Sequence, residues 1–250
     1  MGLLGNFKDQ NAFLGVKWPA SGVFSDLPKR SLDEFSAHTV THGYPKGTSL
    51  FVEGQAANGV YVLCSGKVKL LTYSEDGKAI IVRIAEPGGI LGLPACVAGV
   101  AYEVSAEVIV DCQVNFIRRE EFLSLLQNDN NAALGVMREL SLLYHVAHTQ
   151  ICSLGLSASA SDKLAKLFLY WCDSLDDAQD SAYIHLSYTH EEIAEMIGTS
   201  RETVTRLIKT FKMLNLIRLD GSKLIIPNKT NLKASIGARK ADVTRLTAAR

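Results

Sequence analysis

The spacing of apolar residues changes twice along this chain. Residues 1 to about 30 have no clear period and read as a lead-in segment. From about Thr39 to Arg118 the apolar residues gather in short runs rich in Val, Ile, Leu and Tyr: Val60–Cys64, Val68–Tyr73, Ala79–Ile84 and Val104–Val110. Glycines fall between the runs or near their ends, and many short strands at even spacing predict a β-sandwich or small barrel. Ser74–Lys78 carries Asp76-Gly77, residues that tolerate positive φ, and predicts a hairpin turn.

After Arg118 the period becomes helical. Glu120–Leu126 predicts a short helix, and Asn128–Asn131 a break or N-cap. A long helix from about Ala132 to Leu156 carries Ala133, Met137, Leu140, Tyr144, Ala147, Ile151 and Leu154 at alternating spacings of four and three. Such a heptad seam suits pairing with a second copy of the same helix; packing on the chain's own β-domain is the alternative. Ser157–Ser161 is a small-residue hinge, Asp162–Leu175 a further helix, and Asp173–Asp180 an acidic loop.

Next comes a compact helical pair. Thr189 followed by Glu192 is a capping box, Ile193, Ala194 and Ile197 form the buried face, and Gly198 permits a sharp turn. Ser200 caps a second helix that buries Val204, Leu207 and Ile208 and exposes Arg201, Glu202, Thr205, Arg206 and Lys209. Two short apolar strands around Asp220-Gly221 complete the order helix, turn, helix, hairpin: a winged helix-turn-helix. Arginine forks match the acceptors of guanine, glutamate accepts from cytosine, and lysine meets phosphate as a point charge. Lys212 extends the helix, and Arg218 and Lys223 lie on the wing, as further phosphate contacts.

Composition sharpens this picture only through its asymmetry. The formal net charge of the 250 residues is zero, yet Thr199 onward holds 12 Lys/Arg against 3 Asp/Glu. A basic end on an acidic body points to a polyanion. No apolar run reaches the roughly 20 residues of a membrane span, and the N-terminus has no signal-peptide pattern, so a cytoplasmic protein without a membrane partner is expected. The five cysteines are scattered without a CxxC pair and read as reduced and mostly structural, with a thiol switch at Cys96 or Cys152 as the weaker alternative. His38 and His42 precede the strands and make no metal-ligand cluster with them, and no nucleophile elbow, P-loop or dinucleotide fingerprint occurs. The chain is therefore not expected to be an enzyme; a cupin-like metalloenzyme and a ligand-binding regulatory subunit without a DNA role are the alternatives.

From about Phe35 to Leu232 the chain resembles the Crp/Fnr family, the bacterial regulators that include the cyclic-AMP receptor protein and the fumarate–nitrate reduction regulator. The resemblance is carried most strongly by Gly198–Arg206 and by Leu214-Asn215-Leu216-Ile217. It implies an α+β fold with an N-terminal cyclic-nucleotide-binding-like β-roll, a long dimerisation helix and a C-terminal winged helix-turn-helix. The corresponding boundaries are 1–30 for the lead-in, 31–130 for the β-roll, 131–156 for the dimer helix, 157–235 for the DNA-binding domain and 236–250 for a basic tail. By similarity Arg201, Glu202 and Arg206 are the base readers, implying a homodimer on a palindrome of TGTGA-like half-sites. Met137, Leu140, Tyr144, Ala147, Ile151 and Leu154 would form the dimer seam, and RNA polymerase is the implied protein partner. The acidic loop reads first as an ordinary solvated loop, with a surface for the polymerase as the alternative.

The effector end departs from the family pattern. Gly92 aligns with the phosphate cassette, but Leu93 stands at the glutamate position, and Tyr102, or Glu103 after a shift of one, at the arginine position. Ala147 and His148 occupy the place of the polar pair that meets the base. A buried phosphate without a cationic partner is expensive, so cyclic AMP is not expected to bind in the usual way, and the small-molecule effector stays unknown. No cofactor is identified: no cysteine precedes Cys64, against an iron–sulfur cluster, and haem on His145 or His148 is the weaker reading beside ordinary packed or surface histidines.

Overall fold

The computed structural model describes residues 16–156, 159–173, 181–186 and 188–237. Its first half is built on antiparallel strands: β1 (Thr39–Tyr44), β2 (Ser49–Phe51), β3 (Gly59–Tyr73), β4 (Ala79–Ala85), β5 (Ile90–Leu91) and β6 (Ser105–Arg118). They form one sheet in the order β1-β6-β3-β4, with β2 on β6 and β5 on β3. Two of the expected strands, Val60–Cys64 and Val68–Tyr73, are a single strand, because Gly66 does not end it. Gly66 takes φ 84, and a Cβ there would lie 2.3 Å from the Asp111 carbonyl oxygen. The β3–β6 register shifts between Leu63 and Val68, so this glycine is the site of a bulge through which pairing continues. The Ser74–Lys78 turn closes as expected, with Gly77 at φ 76 and Ser74 N–H donating to the Lys78 carbonyl at 2.9 Å.

The lead-in is not featureless. A 3-10 turn (Val23–Asp26) and helix α1 (Lys29–Ala37) precede the first strand. Trp18 stacks on Phe24 at 4.3 Å, and Phe24 meets Phe35 edge-on at 5.2 Å. Phe24 and Phe35 are each 1% exposed, so this segment supplies core aromatics to the β-domain. The fully buried Asn115 of β6 accepts from the Thr41 hydroxyl at 2.7 Å and donates to the Lys17 carbonyl at 2.9 Å.

Helices α2 (Leu93–Ala98) and α3 (Arg119–Asn128) lead to α4 (Asn130–Leu156). Asp129 caps α4, accepting from the Asn131 and Ala132 amides at 2.9 and 3.0 Å. The Ser31 hydroxyl, then these amides, hold its carboxyl below the usual carboxylate range.

The second half contains α5 (Ala160–Asp173), β7 (Ala182–His185), α6 (His190–Ile197), α7 (Arg201–Met213), β8 (Arg218–Asp220), β9 (Lys223–Ile226) and α8 (Lys229–Ala234). The wing is larger than the hairpin expected from sequence, because β7 pairs along β9 and makes a three-stranded sheet. Asp220 pairs with Lys223, which leaves Gly221 and Ser222 as the loop, with Gly221 at φ 57 as in a II′ turn. One core joins Leu164 and Phe168 of α5, Ile193 of α6, Val204, Ile208 and Phe211 of α7 and Leu224 of β9. Residues Ser157 and Ala158 of the hinge, 174–180 of the acidic loop and the tail beyond Gly237 lie outside the described residues.

The described residues group into two units. One takes the chain up to Thr72 together with Arg83–Leu143, the other Tyr73–Val82 and the chain from Tyr144. The N-terminal part of α4 therefore belongs with the roll, where Ala132 and Val136 are buried and Leu140 and Leu143 pack on the core. Its C-terminal part belongs with the β3–β4 turn, where Gln150 donates to the Ile81 carbonyl at 2.7 Å. Among the described residues no helix is long and apolar enough to cross a membrane.

Candidate nucleic-acid interface

Local sequence sets the ends of α6 and α7. Thr189 N–H donates to Glu192 Oε2 at 2.7 Å while the Thr189 hydroxyl accepts from the Glu192 amide at 3.2 Å, closing the capping box. Gly198 ends α6 in the left-handed conformation at φ 63. Two residues later the Ser200 hydroxyl accepts from the Thr203 amide at 3.3 Å and starts α7. Ser200→Ala is expected to destabilise this unit by about 1 kcal/mol, seen as a lower urea midpoint with an unchanged slope.

The helix so fixed is 13 residues long, about 20 Å at 1.5 Å per residue. Val204 (0% exposed), Ile208 and Phe211 hold it to the core, and Leu207 is half-buried. Arg201, Glu202, Thr205, Arg206, Lys209 and Lys212 are all exposed. Arg201 and Thr205, Glu202 and Arg206, and Thr205 and Lys209 are each four apart, so they form one continuous stripe. The Glu202 carboxyl is held below its ordinary range by its own backbone N–H and then by the Ser200 hydroxyl, so at neutral pH it is an acceptor only. Thr205 donates its hydroxyl proton to the Arg201 carbonyl at 2.9 Å and lies 2.9 Å from His190 Nδ1 on α6.

After α7, Asn215 takes φ 52, a left-handed conformation that asparagine tolerates and that turns the chain into the wing. Its side chain accepts from Arg218 Nε at 3.1 Å, anchoring that exposed arginine at the start of β8. Lys223 is exposed at the start of β9. The arrangement is a helix with an exposed polar stripe beside a basic wing, on a core of its own. That stripe and wing suit a major groove and its flanking phosphates.

The sequence-expected effector residues are placed less uniformly. Gly92 caps α2 at φ 74, and a Cβ there would lie 2.6 Å from the Tyr102 ring. Leu93 is 0% exposed and Tyr102 5%, while Glu103 is exposed. The Tyr102 ring stacks on Phe51 at 4.0 Å and its hydroxyl donates to the Gly59 carbonyl at 2.9 Å, with burial pushing its pKa up to about 12. Ala147 is half-buried and His148 exposed, both on the part of α4 that groups with the second unit. Tyr102 also borders a cavity of about 320 Å³ lined by Leu50, Phe51, Gln55, Ala56, Asn58 and Tyr61, none of them charged. Phe51 and Tyr61 were not singled out from sequence: Tyr61 stands in the Val60–Cys64 run, and Phe51 lies outside every expected strand.

Burial pushes the Cys96 thiol up to about 11 against the opposing pull of Arg119, which keeps it protonated and poorly nucleophilic at neutral pH. Cys152 is half-buried, with Sγ 3.9 Å from His148 Nε2. Among the described residues no group of three or more His, Cys, Asp or Glu side chains is arranged to hold a metal. On α4, Met137, Tyr144 and Ile151 are 57%, 73% and 70% exposed, and Leu140, Ala147 and Leu154 are half-buried.

Known proteins match both halves of this architecture. Residues 41–129 match the cyclic nucleotide-binding domain and residues 162–235 the Crp-like helix-turn-helix domain. The cAMP-activated global transcriptional regulator CRP of Salmonella typhimurium is 24% identical over 197 residues, covering 78% of this chain and 93% of that protein. Among solved structures, FixK2 from Bradyrhizobium japonicum superposes with a TM-score of 0.68 at 21% identity, over 80% of this chain and 98% of that one. A CooA variant from Carboxydothermus hydrogenoformans gives 0.71 at 20% identity, over 87% and 97%. With a β-roll of the first kind followed by a helix-turn-helix of the second, the chain belongs to the Crp/Fnr family of DNA-binding transcriptional regulators.

Proposed function

We propose that the chain acts as a homodimer on palindromic duplex DNA with TGTGA-like half-sites, and that cyclic AMP held in the usual mode is not its effector. The observation that carries the first part is the exposed stripe of α7: Arg201, Glu202 and Arg206 read bases near its start, and Lys209, Lys212, Arg218 and Lys223 meet phosphates. Two identical reading helices require half-sites about one helical turn apart. The row Met137, Tyr144 and Ile151 supports the dimer, since three large apolar side chains at heptad spacing face water in the single chain. Leu140, Ala147 and Leu154 are the half-buried partners of that row.

The second part rests on Tyr102. Its ring packs over Gly92, and no cation stands beside it to meet a cyclic phosphate among the residues lining the adjoining cavity. The chain works as a binding protein in the cytoplasm, not as an enzyme, with RNA polymerase as its protein partner, and no cofactor is assigned to it.

Mobility shifts on a TGTGA palindrome test this reading. Arg206→Ala is expected to weaken binding there by about 1–3 kcal/mol, 5- to 150-fold, and to relax preference at one position of each half-site. Lys212→Ala is expected to lower the salt slope and leave preference unchanged. Added cyclic AMP is expected to change neither affinity. Equal loss on all sequences for Arg206→Ala contradicts its role as a base reader.

A further inference from the structure

Thr205 meets the groove with its hydroxyl already engaged. A threonine hydroxyl has one proton, and here that proton goes to the Arg201 carbonyl at 2.9 Å. With the proton placed there, the contact at 2.9 Å with His190 runs the other way in the tautomer that carries hydrogen on Nδ1, which then donates to Thr205 Oγ1. A helical threonine is otherwise divided between two χ1 wells, and this pair of bonds, one along α7 and one across from α6, holds it in one. The oxygen is turned to the backbone and to α6, so what an exposed Thr205 has left to present is its methyl group.

In the major groove only thymine offers a methyl group to match. We propose that Thr205 reads a thymine by methyl-to-methyl contact and that His190 is the positioning residue that aims it. The inference rests on α7 entering the major groove. It adds an apolar reader between the charged ones, since Thr205 lies one turn after Arg201 and next to Arg206. His190 contributes from the first turn of α6.

The test replaces each thymine of the bound duplex by deoxyuridine, one position at a time, and measures affinity with the full chain. At one thymine in each half-site, loss of the methyl is expected to weaken the parent about fourfold. Thr205→Ser should bind the thymine and uracil duplexes equally. His190→Ala should lose most of the difference, and His190→Asn, which places an amide N–H near the position of Nδ1, should restore it. A merely structural role for His190 would weaken both duplexes alike and leave their ratio intact. A ratio unchanged in Thr205→Ser and His190→Ala overturns the thymine reading while leaving DNA recognition standing. A parent that binds every thymine and deoxyuridine duplex alike also overturns the thymine reading alone, and a parent that binds none of them overturns both.

Discussion

A chain carrying Tyr144→Glu and Ile151→Glu is expected to stay folded but to sediment as a monomer and to lose at least about a hundredfold in affinity for a palindrome. The two side chains are 73% and 70% exposed in the single chain, so glutamate there replaces apolar surface already in water and keeps a good helix former. In a helix pair the same carboxylates would sit in an apolar seam beside Met137, and burying each without a partner costs several kcal/mol. The effect should be confined to association. The helical signal and the affinity for an isolated half-site should match the parent, because α7 and its core lie elsewhere on the chain. A variant that remains dimeric at the parent's concentration would remove this row from the interface.

Phe168→Ala is expected to destabilise the second unit by about 3–5 kcal/mol. Phe168 is 0% exposed, sits 5.7 Å from the Trp171 ring and meets the Phe211 ring edge-on at 6.4 Å. Phe211 is in the last turn of α7, so the cavity opens directly behind that helix. The chain has two tryptophans, Trp18 and Trp171. In a Trp18→Phe background, Trp171 fluorescence alone follows urea unfolding of this unit. Its midpoint should fall sharply in Phe168→Ala, and DNA binding should fail at temperatures where the parent still binds. A midpoint within the range of a surface substitution would mean that Phe168 is not the keystone of this core.

What was legible in the sequence follows from the range of the forces involved. The helix-turn-helix is set by contacts three or four residues apart, namely the Thr189 capping box, the Gly198 turn and the Ser200 cap, and it could be read directly. Helix α4 was legible for the same reason, since its apolar residues recur every three or four positions. Strand β7 was not, because its four residues become a strand only by pairing with Lys223–Ile226 far along the chain. The lead-in hid its role because Trp18, Phe24 and Phe35 have no common period and meet only when the chain folds back. Gly66 read as a break between strands, yet it is where a single strand carries a bulge. The cavity beside Tyr102 draws on β2, β3 and the segments between strands, so no local spacing announces it.

The measurement that bears most directly on the central claim is selection of the intact chain's preferred sites from a random pool of duplexes. The account predicts enrichment of a palindrome with TGTGA-like arms one helical turn apart, and for Arg206→Ala the same palindrome with one degenerate position in each arm. Enrichment of no sequence, or of an asymmetric one unaffected by Arg206→Ala, would contradict it.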